Sequence, residues 1–294
     1  MVADKQMVEI SVVIPTLNRT ASLERALRSI AIQTICPRQI IIIDQSETPF
    51  SMSRAKIIFN TNKIIPQIQI IHRPDLRNKL TEARNFGIKT ASCQIIQFMD
   101  DDSCLEKLYF EGILPYLADK RYGAVCGRII EPKTRFHFLA RYFHSIFHLG
   151  EFRQIREEWY HEKYPKAVET NCLPGVAIFH RKVLDDFEFD PNLPGGYLGD
   201  DIEISFRASK KYTFLLIPRP KIRHLPDKTN RATPLKQSME KALFYKYHFN
   251  KNISKTFANK LAFAWLILGF VLHAIAEISP ARLAGTFKGL ILKT

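Results

Sequence analysis

The sequence predicts an α/β fold: a mostly parallel sheet flanked by helices, with a helical tail behind it. Two observations carry this. Short β-branched apolar runs alternate with stretches of helical periodicity, as strand–helix–strand crossovers require. Polar residues suited to chemistry gather just after those runs, where open parallel sheets bind their ligands. A chain of 294 residues that is 46% hydrophobic has material for a core of that size.

Ile10 to Ile14 is a β-branched run stopped by Pro15, the first strand; Thr16-Leu17-Asn18-Arg19 is the turn after it. Ser22 is placed to cap the next helix, with Leu23, Ala26, Leu27, Ile30 and Ala31 at helical spacing. Ile40 to Ile43 is a second buried strand ending at Asp44-Gln45-Ser46, and Ile68 to Ile71 is a third ending at His72-Arg73-Pro74. Thr81 to Thr90 reads as a helix carrying Glu82, Arg84 and Asn85. Ile95 to Met99 is the next strand, and it opens onto Asp100-Asp101-Asp102. Three adjacent carboxylates repel one another unless a cation or protonation relieves them. Hard oxygen ligands of this kind suit Mg²⁺, Mn²⁺ or Ca²⁺, although a solvated acidic loop has the same composition.

Charge and cysteine usage narrow the classes. Between Ser205 and Lys260 there are 14 Lys/Arg against two acids, Asp227 and Glu240, so this block holds +12 of the net +14. Such a block fits nucleic acid, an anionic membrane surface or a phosphate-bearing substrate. No nucleic-acid-binding motif accompanies it. Cys36, Cys93, Cys104, Cys126 and Cys172 form no CxxC pair, which predicts free thiols in a reducing compartment and argues against a zinc site. Met1 to Glu9 has no apolar leader segment. Neither GxxxxGK[ST] nor GxGxxG occurs, so phosphate-loop and dinucleotide fingerprints are absent.

Four segments carry a family resemblance: Ser11 to Arg19 (Ser-Val-Val-Ile-Pro-Thr-Leu-Asn-Arg), Ile41 to Asp44, Glu82 to Gly87 (Glu-Ala-Arg-Asn-Phe-Gly) and Phe98 to Asp102. In order and spacing they resemble the nucleotide-sugar half of a family 2 glycosyltransferase of the GT-A, Rossmann-like fold. The family usually has two acids where this chain has Asp44-Gln45, so the resemblance leaves the nucleotide open. Tyr122 to Gly127 resembles the strand after the metal loop, and Leu173 to Arg181 the acceptor-side strand, with Gly175 permitting close backbone approach. Phe189-Asp190 and Gly199 to Arg207 resemble the family's Glu-Asp helix start, with Asp200 where Glu is usual. Residues 132–168, aromatic and charged, match nothing in the family pattern and read as an insertion or an acceptor-side flap.

The resemblance implies an inverting transfer of a sugar from a nucleotide-diphosphate donor to a hydroxyl of a glycan or lipid-linked acceptor, with Mn²⁺ or Mg²⁺ as cofactor. It implies donor binding by Pro15, Thr16, Asn18, Arg19, Asp44, Arg84, Asn85, Asp100 and Asp101. Asp102, Asp100 and His224 are the implied metal ligands, Asp100 alternatively holding the ribose. Gly175 falls on the acceptor side. Asp201 is the implied general base, with Asp200 in reserve. The Gln-x-x-Arg-Trp signature of processive synthases does not occur downstream, which implies one sugar per encounter. The domain reading is 1–235 catalytic (1–104 nucleotide-sugar half, 105–235 acceptor half) and 236–294 tail. A non-catalytic binder of the same fold and a basic nucleic-acid-binding protein are the competing classes; the intact acids argue against the first.

In the tail, Leu261 to Ile278 is an 18-residue apolar stretch interrupted by His273 and Glu277, with lysines before it and Arg282, Lys288 and Lys293 after it. It fits a helix lying in a membrane interface, a core or dimer helix, or a short span. Lys236 to Lys260 interleaves Phe244, Tyr245, Tyr247, Phe249 and Phe257 with lysines, suiting either anionic lipid or packing on the core. Together these predict a cytoplasmic protein peripheral to the inner face of the membrane, with nucleic acid not expected as partner.

Overall fold

The computed structural model describes residues 6–60, 64–130, 143–154, 166–195, 198–227 and 232–293. Its first half is strand–helix alternation: β1 (Gln6–Thr16), α1 (Thr20–Ala31), β2 (Ile35–Asp44), α2 (Met52–Phe59), β3 (Gln67–His72), α3 (Leu80–Thr90) and β4 (Ile95–Phe98). The second half adds β5 (Ser103–Leu105), α4 (Tyr109–Ala118), β6 (Tyr122–Ile130), β7 (Val168–Thr170), β8 (Ile178–His180), α5 (Arg181–Asp186), α6 (Asp200–Ala208) and β9 (Thr213–His224). Three helices close the chain: α7 (Pro234–Asn252), α8 (Phe257–Ala276) and α9 (Pro280–Ile291).

The described strands form one sheet in the order β3-β2-β1-β4-β8-β6-β9-β5, with β7 beside β9. β1 to β4 are mutually parallel, and β6 runs parallel to β9, while β8, β5 and β7 pair antiparallel. Central strands buried on both faces need apolar side chains on both, which explains the unbroken runs Val12–Ile14 and Ile40–Ile43, all fully buried. Register sets Thr16 beside Asp44 and Asp44 beside His72, so the carboxyl ends of β1, β2 and β3 are level. β5 pairs with the end of β9 so that Ser103 faces His224, which brings the acidic loop and that histidine together.

Helix α1 begins at Thr20, with Arg19 as its N-cap residue and no side-chain cap bond. Ser22 therefore lies inside the first turn and does not cap it. Its buried hydroxyl is taken by a distant partner, donating to the carboxylate of Asp227. All five cysteines are free, as their spacing predicts.

The tail shares the core of the sheet. Phe244, Tyr245 and Phe249 of α7 and Leu266 and Phe270 of α8 belong to the same buried cluster as the sheet. Polar ties reinforce the joint: Asp190 accepts from Tyr247 Oη and Lys251 Nζ, both at 2.6 Å, and Glu203 accepts from Asn252 Nδ2 at 3.2 Å. Of the two readings of the Lys236–Lys260 tract, packing of aromatics on the core describes Phe244, Tyr245 and Phe249. Within residues 132–168, only 143–154 and 166–168 are among those described, so the insertion-or-flap reading lies largely outside them.

Candidate active site

The turns after β1, β2 and β4 and the start of α6 border a cleft of about 1010 Å³. Pro15, Thr16, Arg19, Arg84, Asp100, Asp101, Asp102, Gly175, Asp200, Asp201 and His224 line it, so eleven of the fourteen residues singled out from the sequence meet there. Asn18, Asp44 and Asn85 are not part of that wall. Asp44 is buried and caps its own loop, accepting from the backbone N–H of Ser46 at 2.9 Å and of Phe50 at 2.6 Å. Its neighbour Gln45 faces the cleft instead. Asn18 takes a left-handed φ of 54° and its N–H donates to Ser46 Oγ at 2.7 Å, so it shapes the turn. Asn85 brackets the backbone of Phe189, donating to its carbonyl at 2.7 Å and accepting from its N–H at 3.0 Å. That bond ties α3 to the segment before α6.

The three acids of the loop divide by environment. Asp101 turns inward, accepting from Thr16 Oγ1 at 2.8 Å and from Arg19 Nη1 at 3.2 Å, and so locks the β1 turn to the loop. Burial pushes its carboxyl up to about 6 against the opposing pull of Arg19 and Thr16. Asp102 is also buried, yet it stays below the usual carboxylate range. Burial pushes it up, but hydrogen bonding and charge from His224, the Asp227 N–H and Arg19 outweigh that. Its Oδ1 lies 3.5 Å from His224 Nε2. Asp100 is the open member, its side chain 40% exposed, and its Oδ1 accepts from Arg84 Nη2 at 3.0 Å.

Among the described residues no three His, Cys, Asp or Glu side chains form a metal-binding group. Of the three residues that the resemblance implies as ligands, Asp102 and His224 face each other, while Asp100 accepts from Arg84. The pair Asp102–His224 still fits a divalent cation shared with a substrate. An ionised carboxylate and an imidazole face each other at the cleft wall, and Mn²⁺ accepts both ligand types. Cations that serve diphosphates commonly take one or two protein ligands, with phosphate oxygens supplying others.

Arg84 links the two halves of the site. Only 2% exposed, it donates through Nη1 to Asp200 and through Nη2 to Asp100, and its guanidinium stands 5.3 Å from the Phe189 ring centre. Arg84, implied as a donor-binding residue, does line the cleft, and its planar fork donates to two carboxylates across the cleft floor. Gly175 is required by this clamp, since a Cβ there would lie 2.7 Å from Arg84 Nη2.

Asp200 and Asp201 open α6 behind Gly199, which adopts φ 81° and packs beneath the ring of Phe244. Asp200 is buried. Burial pushes its carboxyl up to about 7, Arg84 pulls it down, and Asp201 and Asp100 push it up again. Asp201 is partly exposed on the cleft wall.

Sequence reasoning missed the remaining wall. Lys236, Glu240, Lys241, Phe244 and Tyr245 of α7, His273 of α8 and the pair His144 and His148 all border the cleft. The lysine–aromatic interleaving marked the α7 tract, but only packing shows that it returns to the site.

Residues 11–187 match Glycosyl transferase family 2. A curated relative, the GalNAc(5)-diNAcBac-PP-undecaprenol beta-1,3-glucosyltransferase of Campylobacter jejuni, is 29% identical over 130 residues, 43% of this chain and 40% of its own. The chain spans between 22% and 40% of the length of the curated relatives it matches. Among solved structures, TarS 1-349 of S. aureus in complex with UDP-GlcNAc superposes with a TM-score of 0.59 at 13% identity, covering 96% of this chain and 80% of that one. Mannosyltransferase PcManGT from Pyrobaculum calidifontis, in complex with GDP-Man and Mn2+, superposes with a TM-score of 0.56 at 19% identity, covering 97% and 81%. At these identities the structural likeness concerns the fold.

Proposed function

The chain belongs to glycosyl transferase family 2 and has a GT-A-type fold, and on that premise we propose that it is an inverting, non-processive glycosyltransferase. It takes its sugar from a nucleoside-diphosphate donor and passes it to a hydroxyl of a lipid-linked glycan at the cytoplasmic face of the membrane. The observation that carries this reading is the division of labour at the start of α6. Asp200 is buried and bound to Arg84, while Asp201 sits partly exposed on the wall of the same cleft as the acidic loop.

In this reading Asp201 accepts the proton of the acceptor hydroxyl as its oxygen attacks the anomeric carbon from the face opposite the diphosphate. The bond between that carbon and the diphosphate oxygen breaks, the electron pair leaves with the diphosphate, and configuration inverts. Asp200 and Arg84 hold Asp201 and Asp100 in place, so the base and the donor face are positioned by one buried cation. Asp100, the open acid, meets the ribose, and Arg19 adds positive charge beside the acidic loop. Asp102 and His224 are the residues that would hold Mn²⁺ or Mg²⁺, which when bound supplies Lewis-acid stabilisation of charge on the departing diphosphate.

The test is release of nucleoside diphosphate from a panel of nucleotide sugars with Mn²⁺, Mg²⁺ or EDTA. One donor should be turned over with a divalent ion and not with EDTA. His224→Ala should raise the Mn²⁺ concentration for half-maximal rate about tenfold or more. No release from any donor would leave a nucleotide-sugar-binding protein without catalysis.

A further inference from the structure

Helix α8 is 20 residues long and holds an 18-residue stretch with a mean hydropathy of 1.6, the one helix among the described residues long and apolar enough to cross a membrane. Its two faces differ. Asn259, Ala262, Leu266, Gly269, Phe270 and Ala274 are buried against the domain. Phe257, Leu261, Trp265, Leu268, Leu272 and Ile275 are exposed, Phe257 at 78% and Ile275 at 57%. They recur three or four residues apart, within an arc of roughly 80° at about 100° per residue. Ile278 continues this surface, and Phe287 and Ile291 form an exposed pair on α9. Isolated exposed apolar residues are ordinary, but a contiguous stripe marks an interaction surface.

Charge identifies the occupant. Lys251 pairs with Asp190 and Glu203 of the domain; from residue 255 to the end, five cations (Lys255, Lys260, Arg282, Lys288 and Lys293) stand against one acid, Glu277, which pairs with Arg282. Lys260, Lys288 and Lys293 are exposed on the two helices that carry the apolar surface and at their end. A second copy of a chain with net charge +14 would bring like charge to that rim, whereas anionic headgroups complement it. The packed face decides the orientation. A transmembrane pose would strip Leu266 and Phe270 from the core they share with the sheet, whereas an in-plane pose leaves the domain intact. The same helix carries His273 to the cleft wall.

We propose that the exposed apolar faces of α8 and α9 dock this protein in plane on an anionic lipid surface, with the domain seated above it and the cleft held beside the headgroups. This deepens the membrane location within the function proposed above, since a lipid-linked acceptor would then meet the site without leaving the bilayer.

Flotation with phosphatidylcholine vesicles, with and without phosphatidylglycerol, tests it on the full chain. The wild type should float with the anionic vesicles and be released by alkaline carbonate. Leu261→Gln, Leu268→Gln and Leu272→Gln combined should weaken binding by about a hundredfold or more, with donor hydrolysis in solution retained. Lys260→Glu, Lys288→Glu and Lys293→Glu combined should abolish the preference for anionic vesicles. Carbonate-resistant insertion would overturn the in-plane pose. A wild type that stays off all vesicles, or that dimerises through this face while the leucine variant is monomeric, would overturn lipid as the occupant. Vesicle binding is read without turnover, so a chain that floats yet hydrolyses no donor would refute the catalytic reading alone.

Discussion

Arg84→Met isolates the buried cation on which both halves of the site depend. Methionine keeps much of the apolar length and removes the guanidinium. Arg84 is 2% exposed and pairs with Asp200, 6% exposed, and with Asp100. Removing one partner of a buried ion pair costs about 3–5 kcal/mol. Loss of the contacts to Phe98 and Phe189, whose ring centres lie 5.7 and 5.3 Å away, adds to this. Asp200 can relieve its own loss by taking up a proton, and with its carboxyl already raised to about 7 that relief is cheap near neutrality. The expected loss at neutral pH therefore sits near the lower end, about 3 kcal/mol, or roughly 6–12 °C in Tm. It should grow above pH 7, because the wild type then gains an ionised Asp200 beside Arg84 while the variant must keep Asp200 neutral. Urea denaturation at several pH values measures both quantities. A loss below about 1 kcal/mol, or one that does not change with pH, would refute the clamp.

Two further predictions concern the same framework. Gly175→Ala forces the clamped guanidinium to move, since the new Cβ would lie 2.7 Å from Nη2 and 3.1 Å from Nη1. It should destabilise by about 1–3 kcal/mol in urea melts and lower transfer, and an unchanged variant would show that the clamp yields freely. For pH, burial raises Asp101 to about 6, so the folded chain holds that proton more tightly than the unfolded chain. Its contribution to stability is complete below the unfolded carboxylate pKa and is lost as pH rises through about 6. Asp101→Asn should therefore lose less stability than the wild type between about pH 4 and pH 7; an equal or greater loss would contradict the assignment.

Local signals were legible in sequence, and long-range pairings were not. The run Ile40–Ile43 sits inside β2, Ile68–Ile71 inside β3, and Ile95–Phe98 is β4. Asp200 and Asp201 do begin a helix behind a glycine. These are patterns of neighbouring residues, which is why they survive without a structure. Arg84 and Asp200 are 116 residues apart, and Ser22 and Asp227 are 205 apart. No period or spacing announces such partners, so Ser22 reads as a cap and the pairing of Arg84 with Asp200 goes unseen. Asp44 is a further case: as a strand-end acid it reads as a ligand, and the sequence does not announce that it also accepts from two backbone N–H groups of its own loop. In the tail, composition gave the apolar character of α8, but only burial separates its packed face from its exposed one.

The central claim, that Asp201 is the base of a sugar transfer, is tested most directly by one comparison. Turnover and donor affinity are measured for the wild type and for Asp201→Asn with the donor found by the hydrolysis screen. The variant should lose about 10²–10⁴-fold in kcat while donor Kd stays close to that of the wild type. Near-normal turnover in Asp201→Asn would remove this residue from the chemistry.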